Sequence, residues 1–262
     1  MRRLVLIVTA LGVLVAASTA FAAAFNNYSG TVKLTSKAHG TPAKPVPVGY
    51  TEDLKASNAT PGNRTGVLTD IKTTIYGLKA DGKDFPTCSL KKIGAAQTDT
   101  GCPKAAMVAT GYITATVGAQ NDFTQAGLPC NPLLHVWNSG QGKLTFFFVD
   151  AAPAHECLNG ALHTGQVGPY PGTYKTVGKN LVVDVPVPHY VSFPAPGEAG
   201  SLNTEHLVWA KHTAKVHGKT VAAIASVGCQ GKKRPYSVAF TAVNPNGGAS
   251  STNSVKGTAP CS

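Results

Sequence analysis

After its first two dozen residues this 262-residue chain has no apolar run approaching 18 residues. No later segment is therefore expected to cross a roughly 30 Å hydrocarbon core as a helix. There is no sustained 3.6-residue hydrophobic period and no repeat of solenoid length. G-x-S-x-G, the sharp turn that commonly exposes a serine nucleophile, does not occur. Neither H-x-H nor H-E-x-x-H occurs, so no segment presents paired imidazoles to a metal as written. No C-x-x-C or C-x-x-H spacing points to zinc. Methionine is scarce, Met107 being the only one beyond the leader, which argues against a copper site with an axial thioether. Neither a metal nor another cofactor is expected.

What is present begins with a leader. Met1-Arg2-Arg3 is positive, Leu4 to Ala17 is apolar, and Ala20-Phe21-Ala22 fits an A-x-A cleavage site. The run is too short for a spanning helix, so residues 1–22 read as a cleaved secretory signal peptide. Export then decides the meaning of the six cysteines, Cys88, Cys102, Cys130, Cys157, Cys229 and Cys261. An oxidising compartment favours disulfides over metal thiolates. The cysteines fall into three local pairs, and loop closure favours near neighbours, so the expected bonds are Cys88–Cys102, Cys130–Cys157 and Cys229–Cys261. No cysteine follows the cleavage site to carry a lipid, and Gly257-Thr-Ala-Pro-Cys-Ser262 has no sorting pattern. The expected location is secreted or in the cell envelope.

The chain carries 23 basic and 12 acidic residues, with only 13% of residues charged. Without Arg2 and Arg3 the excess is +9, a sparse positive surface rather than a basic arm. Lys232-Lys233-Arg234 is its one dense cluster. Anionic cell-wall polymers or glycans are the partners such a surface suggests. Nucleic acid is not expected, because basic residues and aromatics are not interleaved along one stripe.

Period-two alternation dominates. Leu181, Val183, Val185 and Val187 alternate with more polar positions, as do Ile113, Ala115 and Val117, and Tyr236, Val238 and Phe240. Leu144-Thr-Phe-Phe-Phe-Val149 is apolar on both faces and predicts a central strand. Glycine and asparagine turns predict hairpins at about 133–149, 173–186, 205–227 and 235–257. Ten to twelve short strands of this kind predict an all-β fold, a two-sheet antiparallel β-sandwich of Ig-like or jelly-roll-like type. No composition shift divides residues 23–262, which are expected to form one domain.

Candidate binding aromatics are Trp137, Tyr170 and Tyr174, in or beside the loops around Cys130 and Cys157, where flat rings can stack on sugars. Lys232, Lys233 and Arg234 are the candidate anion-binding residues. Asp150 and Asp184 stand at the end of, or inside, apolar strands. With His189 they are the residues from which a glycan or ester hydrolase site would be assembled. His206 and His212 would converge on a metal only through strand pairing. No complete catalytic constellation is legible.

Asp84-Phe-Pro-Thr-Cys88, Gly101-Cys-Pro103, Met107-Val-Ala-Thr-Gly-Tyr112, the proline-rich Lys44-Pro-Val-Pro47 and the closing Cys229…Cys261 pair carry a resemblance. Together they resemble a family of uncharacterised exported, disulfide-containing β proteins of high-GC actinobacteria. The resemblance implies export, β structure and local disulfides, and brings no activity, cofactor or catalytic residue. The functional expectation is an exported, non-catalytic β protein that binds or builds at the cell envelope, the alternative being a secreted hydrolase acting on glycans or esters.

Overall fold

The structure is a computed structural model that describes residues 25–37, 39–243 and 250–261. The expected signal peptide and the turn expected within 244–248 lie outside the described residues. In chain order the strands begin with β1 (Asn26–Leu34), β2 (Val46–Pro47), β3 (Tyr50–Asn58), β4 (Val67–Tyr76) and β5 (Leu78–Ala80). Helix α1 (Leu90–Ala96) precedes β6 (Met107–Ala119), β7 (Leu128–Cys130), β8 (Leu133–Asn138) and β9 (Lys143–Val149). The single turn α2 (Thr164–Val167) leads to β10 (Tyr170–Val177) and β11 (Asn180–Pro186), and α3 (His189–Ser192) to β12 (Glu198–Trp209). The chain closes with β13 (Thr213–Val216), β14 (Lys219–Ala222), β15 (Ile224–Ser226), β16 (Lys233–Val243) and β17 (Ser251–Pro260).

The main sheet is antiparallel and runs β1-β3-β12-β6-β8-β9-β10-β11-β4-β16-β17, with β7 added to β6. Strands β1 and β17 come to lie against each other, so eleven strands form a nearly closed barrel. The all-β, antiparallel expectation holds at this level, but the two-sheet sandwich gives way to one continuous, curled sheet. The reason is physical. Alternation specifies one buried and one solvated face per strand, and a barrel satisfies it as well as a sandwich does. The choice lies in distant pairings such as β3 with β12 and β4 with β16, which alternation does not encode.

Adjacent strands pair in the expected hairpins β8–β9, β10–β11 and β16–β17. The 205–227 region differs. Strand β12 ends at Trp209, and His217 and Gly218, both at positive φ, turn the short β13–β14 hairpin. Strand β15 instead joins β2 and β5 in a separate small sheet. Pro186 is tolerated inside the barrel because β11 outruns β10 there: the β10 ladder stops at Asp184, so one side of the strand needs no donor.

The barrel interior is mainly apolar. Tyr50, Ile75, Leu134, Val136, Leu144, Phe146, Phe148, Leu181 and Leu207 form its main core. The outer face carries Lys33, Asp53, Lys55, His206 and Lys72, the inverse of the apolar exterior of a membrane-spanning barrel. Among the described residues no helix is long and apolar enough to cross a membrane. Strand β9 is apolar on both faces because it serves two cores. Phe146 and Phe148 point inward, while Phe147 lies outside beneath Ile93 of α1, beside Trp137 and Cys88.

Three disulfides form with the near-neighbour pairing, at Cα separations of 5.5, 3.8 and 5.9 Å for Cys88–Cys102, Cys130–Cys157 and Cys229–Cys261. One barrel end is also tied by a buried arginine that the sequence did not single out. Arg64 donates from its guanidinium to the carbonyls of Gln125, Ala199, Ala119 and Asp122, at 2.5–3.2 Å, with Phe123 against its face. Dispersed carbonyls on two strands and one loop are thereby held by one side chain.

Candidate functional site: a carboxyl in the barrel interior

Inward positions on β3 are Tyr50, Glu52 and Leu54, and on the neighbouring β12 Trp209, Leu207 and Glu205. Two of these six are carboxyls. Glu52 pairs with Leu207 and Glu205 with Leu54, so the acids are diagonal neighbours on one face. The Thr73 hydroxyl of β4 donates to Glu52. Strands β3 and β4 are far apart in the sheet order, so this bond spans the interior as a strut. Burial raises Glu52 to about 7, with the Thr73 hydrogen bond opposing it. Burial, and then the charge of Glu52, raises Glu205 to about 8. The nearby Tyr50 hydroxyl is buried and has no hydrogen-bond partner among the described residues.

On the far side of Glu205 from Glu52 lies a cavity of about 100 Å³. Its walls come from the barrel (Leu68, Ile71, Ile113, Phe148), from the Cys130–Cys157 bridge, and from the α3 region (Val191, Ser192). Two polar side chains face it without a hydrogen bond to any described residue: the Glu205 carboxyl and the Tyr170 phenol, the latter only 5% exposed. Ser192 and Ser201 also line it, but their hydroxyls already donate to the carbonyls of Leu68 and Thr65. Among the described residues the lining contains no lysine, arginine or histidine. Tyr170 stacks on Phe146 at 5.3 Å and tilts against Phe148 at 5.5 Å. A smaller cavity of about 30 Å³ at the other side of Glu52 is lined by Tyr50, Tyr174 and Trp209 among others.

The residues expected from sequence to bind ligand are redistributed by the fold. Tyr170 and Tyr174, expected in or beside loops with rings open to a sugar, are buried strand residues facing the two interior cavities. Trp137 is buried under α1, its indole N–H donating to Asp99 Oδ2 at 3.2 Å beside His135 Nδ1 at 2.7 Å. Arg234 leaves the basic cluster: it is fully buried and donates to the carbonyl of Tyr76 and the hydroxyl of Ser226, with Cys261 Sγ at 3.0 Å. Strand alternation explains the split, since Arg234 points in where Lys233 points out. Lys232 and Lys233 are exposed.

The hydrolase candidates do not assemble. Asp150 accepts from the backbone N–H and hydroxyl of Thr164 at 2.9 and 2.7 Å, anchoring the first residue of α2. His189 stacks on Phe193 at 4.3 Å. Asp184 pairs with Lys72 at 3.2 Å on the outer face. Burial raises its neighbour Asp70 to about 6, helped by the hydrogen bond and charge of Asp184, but neither acid lines a cavity described above. His206 is held by Asp53, its Nδ1–H donating at 2.6 Å, and His212 is not brought to it. Among the described residues no three histidines, cysteines or acids are grouped to hold a metal.

Sequence reasoning missed Glu52 and Glu205, although a signal existed. In Tyr50-x-Glu52-x-Leu54-x-Ala56 and Glu205-x-Leu207-x-Trp209 an acid occupies the same alternation parity as the core residues. No family model, curated protein or solved structure matches the chain.

Proposed function

We propose that this chain is an exported, non-catalytic binding protein that holds a small, largely aliphatic molecule inside its barrel. The observation that carries the reading is the apolar cavity into which an unpaired carboxyl and an unpaired phenol are turned. Buried polar groups are ordinarily satisfied by the protein itself, and pairs left open at a cavity wall favour a ligand supplied from outside. The size suits a few heavy atoms: an apolar cavity of about 150 Å³ accommodates benzene. It leaves no room for a glycan chain, which weighs against the hydrolase alternative at this site. Export, and kinship with the actinobacterial family its motifs resemble, are parts of the same proposal. The three disulfides are compatible with an extracellular location. Lys232 and Lys233 remain the part of the surface suited to anionic wall polymers.

The test is methyl NMR of the mature protein titrated with 1-butanol. Resonances of Ile71, Ile113 and Leu68 are expected to shift saturably, and the cavity-filling Ala115→Leu variant is expected to lose the response. Shifts confined to surface methyls, or the same response in the filled variant, would refute the reading.

A further inference from the structure

We propose that the ligand of the barrel cavity is a short-chain aliphatic amine, bound as its ammonium ion between the Glu205 carboxylate and the ring of Tyr170. This rests on the reading of the cavity as a binding site and goes on to assign the chemistry of its occupant.

Three observations lead there. First, among the described residues that line the cavity Glu205 is the only carboxyl, and none is a lysine, arginine or histidine. A fatty-acid carboxylate or other anion would lose its hydration against a wall that offers it no cation and whose polar groups are two neighbouring acids. Anionic ligands, which many apolar pockets take through a lysine or arginine, are thereby disfavoured. Second, Glu205 makes no hydrogen bond to any described residue, whereas its neighbour Glu52 is held by Thr73. The two acids share one face but differ in what they lack, and only the unheld one reaches the cavity. A largely buried carboxylate is stable when a cation and hydrogen-bond donors meet it; an ammonium supplies both, and as it enters Glu205 releases its proton to solvent.

Third, the wall beside the acid is aromatic. Tyr170, Phe146 and Phe148 pack together at 5.3 and 5.5 Å, with Tyr170 and Phe148 in the lining. Aromatic faces attract a desolvated cation, while the phenol hydroxyl offers an acceptor for a second N–H. The remaining wall, from Leu68, Ile71, Ile113 and Val191, suits a hydrocarbon tail. An acid and aromatic faces at one side, aliphatic side chains around the rest, and about 100 Å³ between them describe a small amphiphilic cation.

The experiment compares three probes of matched length on the wild-type mature protein: n-butylamine, 1-butanol and butyrate, followed by the same methyl resonances. Butylamine is expected to bind at least about tenfold more tightly than butanol, the scale of one charge-assisted hydrogen bond, and butyrate not to enter. Glu205→Gln is expected to abolish the preference for amine while retaining butanol. Butanol binding as well as or better than butylamine would overturn the amine assignment and leave the cavity reading intact. An amine preference that survives in Glu205→Gln would overturn the role of Glu205. Failure of all three probes to reach the cavity methyls would remove the underlying reading itself. The comparison among probes on the wild-type protein needs no variant, so it stands even if Glu205→Gln folds poorly.

Discussion

Replacing Glu205 by glutamine is expected to flatten the dependence of stability on pH, by an amount that follows from where the carboxyl sits. Burial and the charge of Glu52 raise the group from its ordinary value of 4.5 to about 8. A carboxyl whose folded pKa lies above its unfolded one holds its proton more tightly in the native protein. The stability it confers is fully present below the unfolded value. It is lost as pH climbs through the interval, and the loss levels off above the folded value. At neutral pH the native protein keeps the proton and the unfolded chain has released it. Neutrality lies about 2.5 above the ordinary value, which at ~1.4 kcal/mol per unit gives an upper bound on the order of 3 kcal/mol. Solvent on the cavity side of the carboxyl reduces this, so the expected loss is about 1–3 kcal/mol. Glutamine has no proton to exchange and escapes it. Glu52, raised to about 7, acts in the same direction in both proteins and cancels in the difference, apart from its coupling to Glu205. The assay is urea unfolding, disulfides intact, at intervals between about pH 5 and pH 8. The variant should gain on the wild type by about 1–3 kcal/mol across that range. Parallel profiles would refute a proton held by burial, and a variant that loses ground with rising pH would mean that Glu205 is ionised and paired in the native state.

Other consequences can be read in equilibrium or thermal unfolding. Arg64→Ala strips the donor from four backbone carbonyls and should cost at least about 3 kcal/mol; a loss under about 1 kcal/mol would show that water replaces it. Gly111→Ala places a Cβ 1.8 Å from the backbone oxygen of His206. Strands β6 and β12 must separate locally, so a clear fall in Tm is expected and an unchanged Tm would contradict the close approach. Within the basic cluster, Arg234→Ala should destabilise strongly because its partners are buried. Lys232→Ala and Lys233→Ala should each stay within about 0.5 kcal/mol, and equal effects would undo the assignment of inside and outside. Replacing Cys88 and Cys102 together by serine releases a 14-residue separation and should cost about 3 kcal/mol.

Much of the architecture was legible along the chain because the physics behind it is local. Strand β9 declared its central place through residues 144–149, since an apolar residue at every position needs cover on both faces. The three disulfides followed from proximity in sequence. The site was legible only in fragments. Tyr170 was singled out as a ligand-binding aromatic, but as a loop residue stacking outward rather than a strand residue facing a cavity. Arg234 was grouped with Lys232 and Lys233 by adjacency, although successive strand residues face opposite ways. Glu52 and Glu205 share the alternation parity of the core residues on their strands, the one signal in the sequence that places both inside.

By itself the amino-acid sequence determined that this is an antiparallel β protein with local cross-links, because alternation, turn residues and short loop closure act over a few to about thirty residues. The tertiary structure alone decided that the sheet curls into a barrel instead of splitting into two layers. It also decided that acids from β3 and β12 meet the Thr73 hydroxyl and the Tyr170 ring in one interior. Those outcomes depend on which distant strands pair and in what register. Pairing partners are chosen by the free energy of closing the whole sheet around its core, a quantity that no short segment carries.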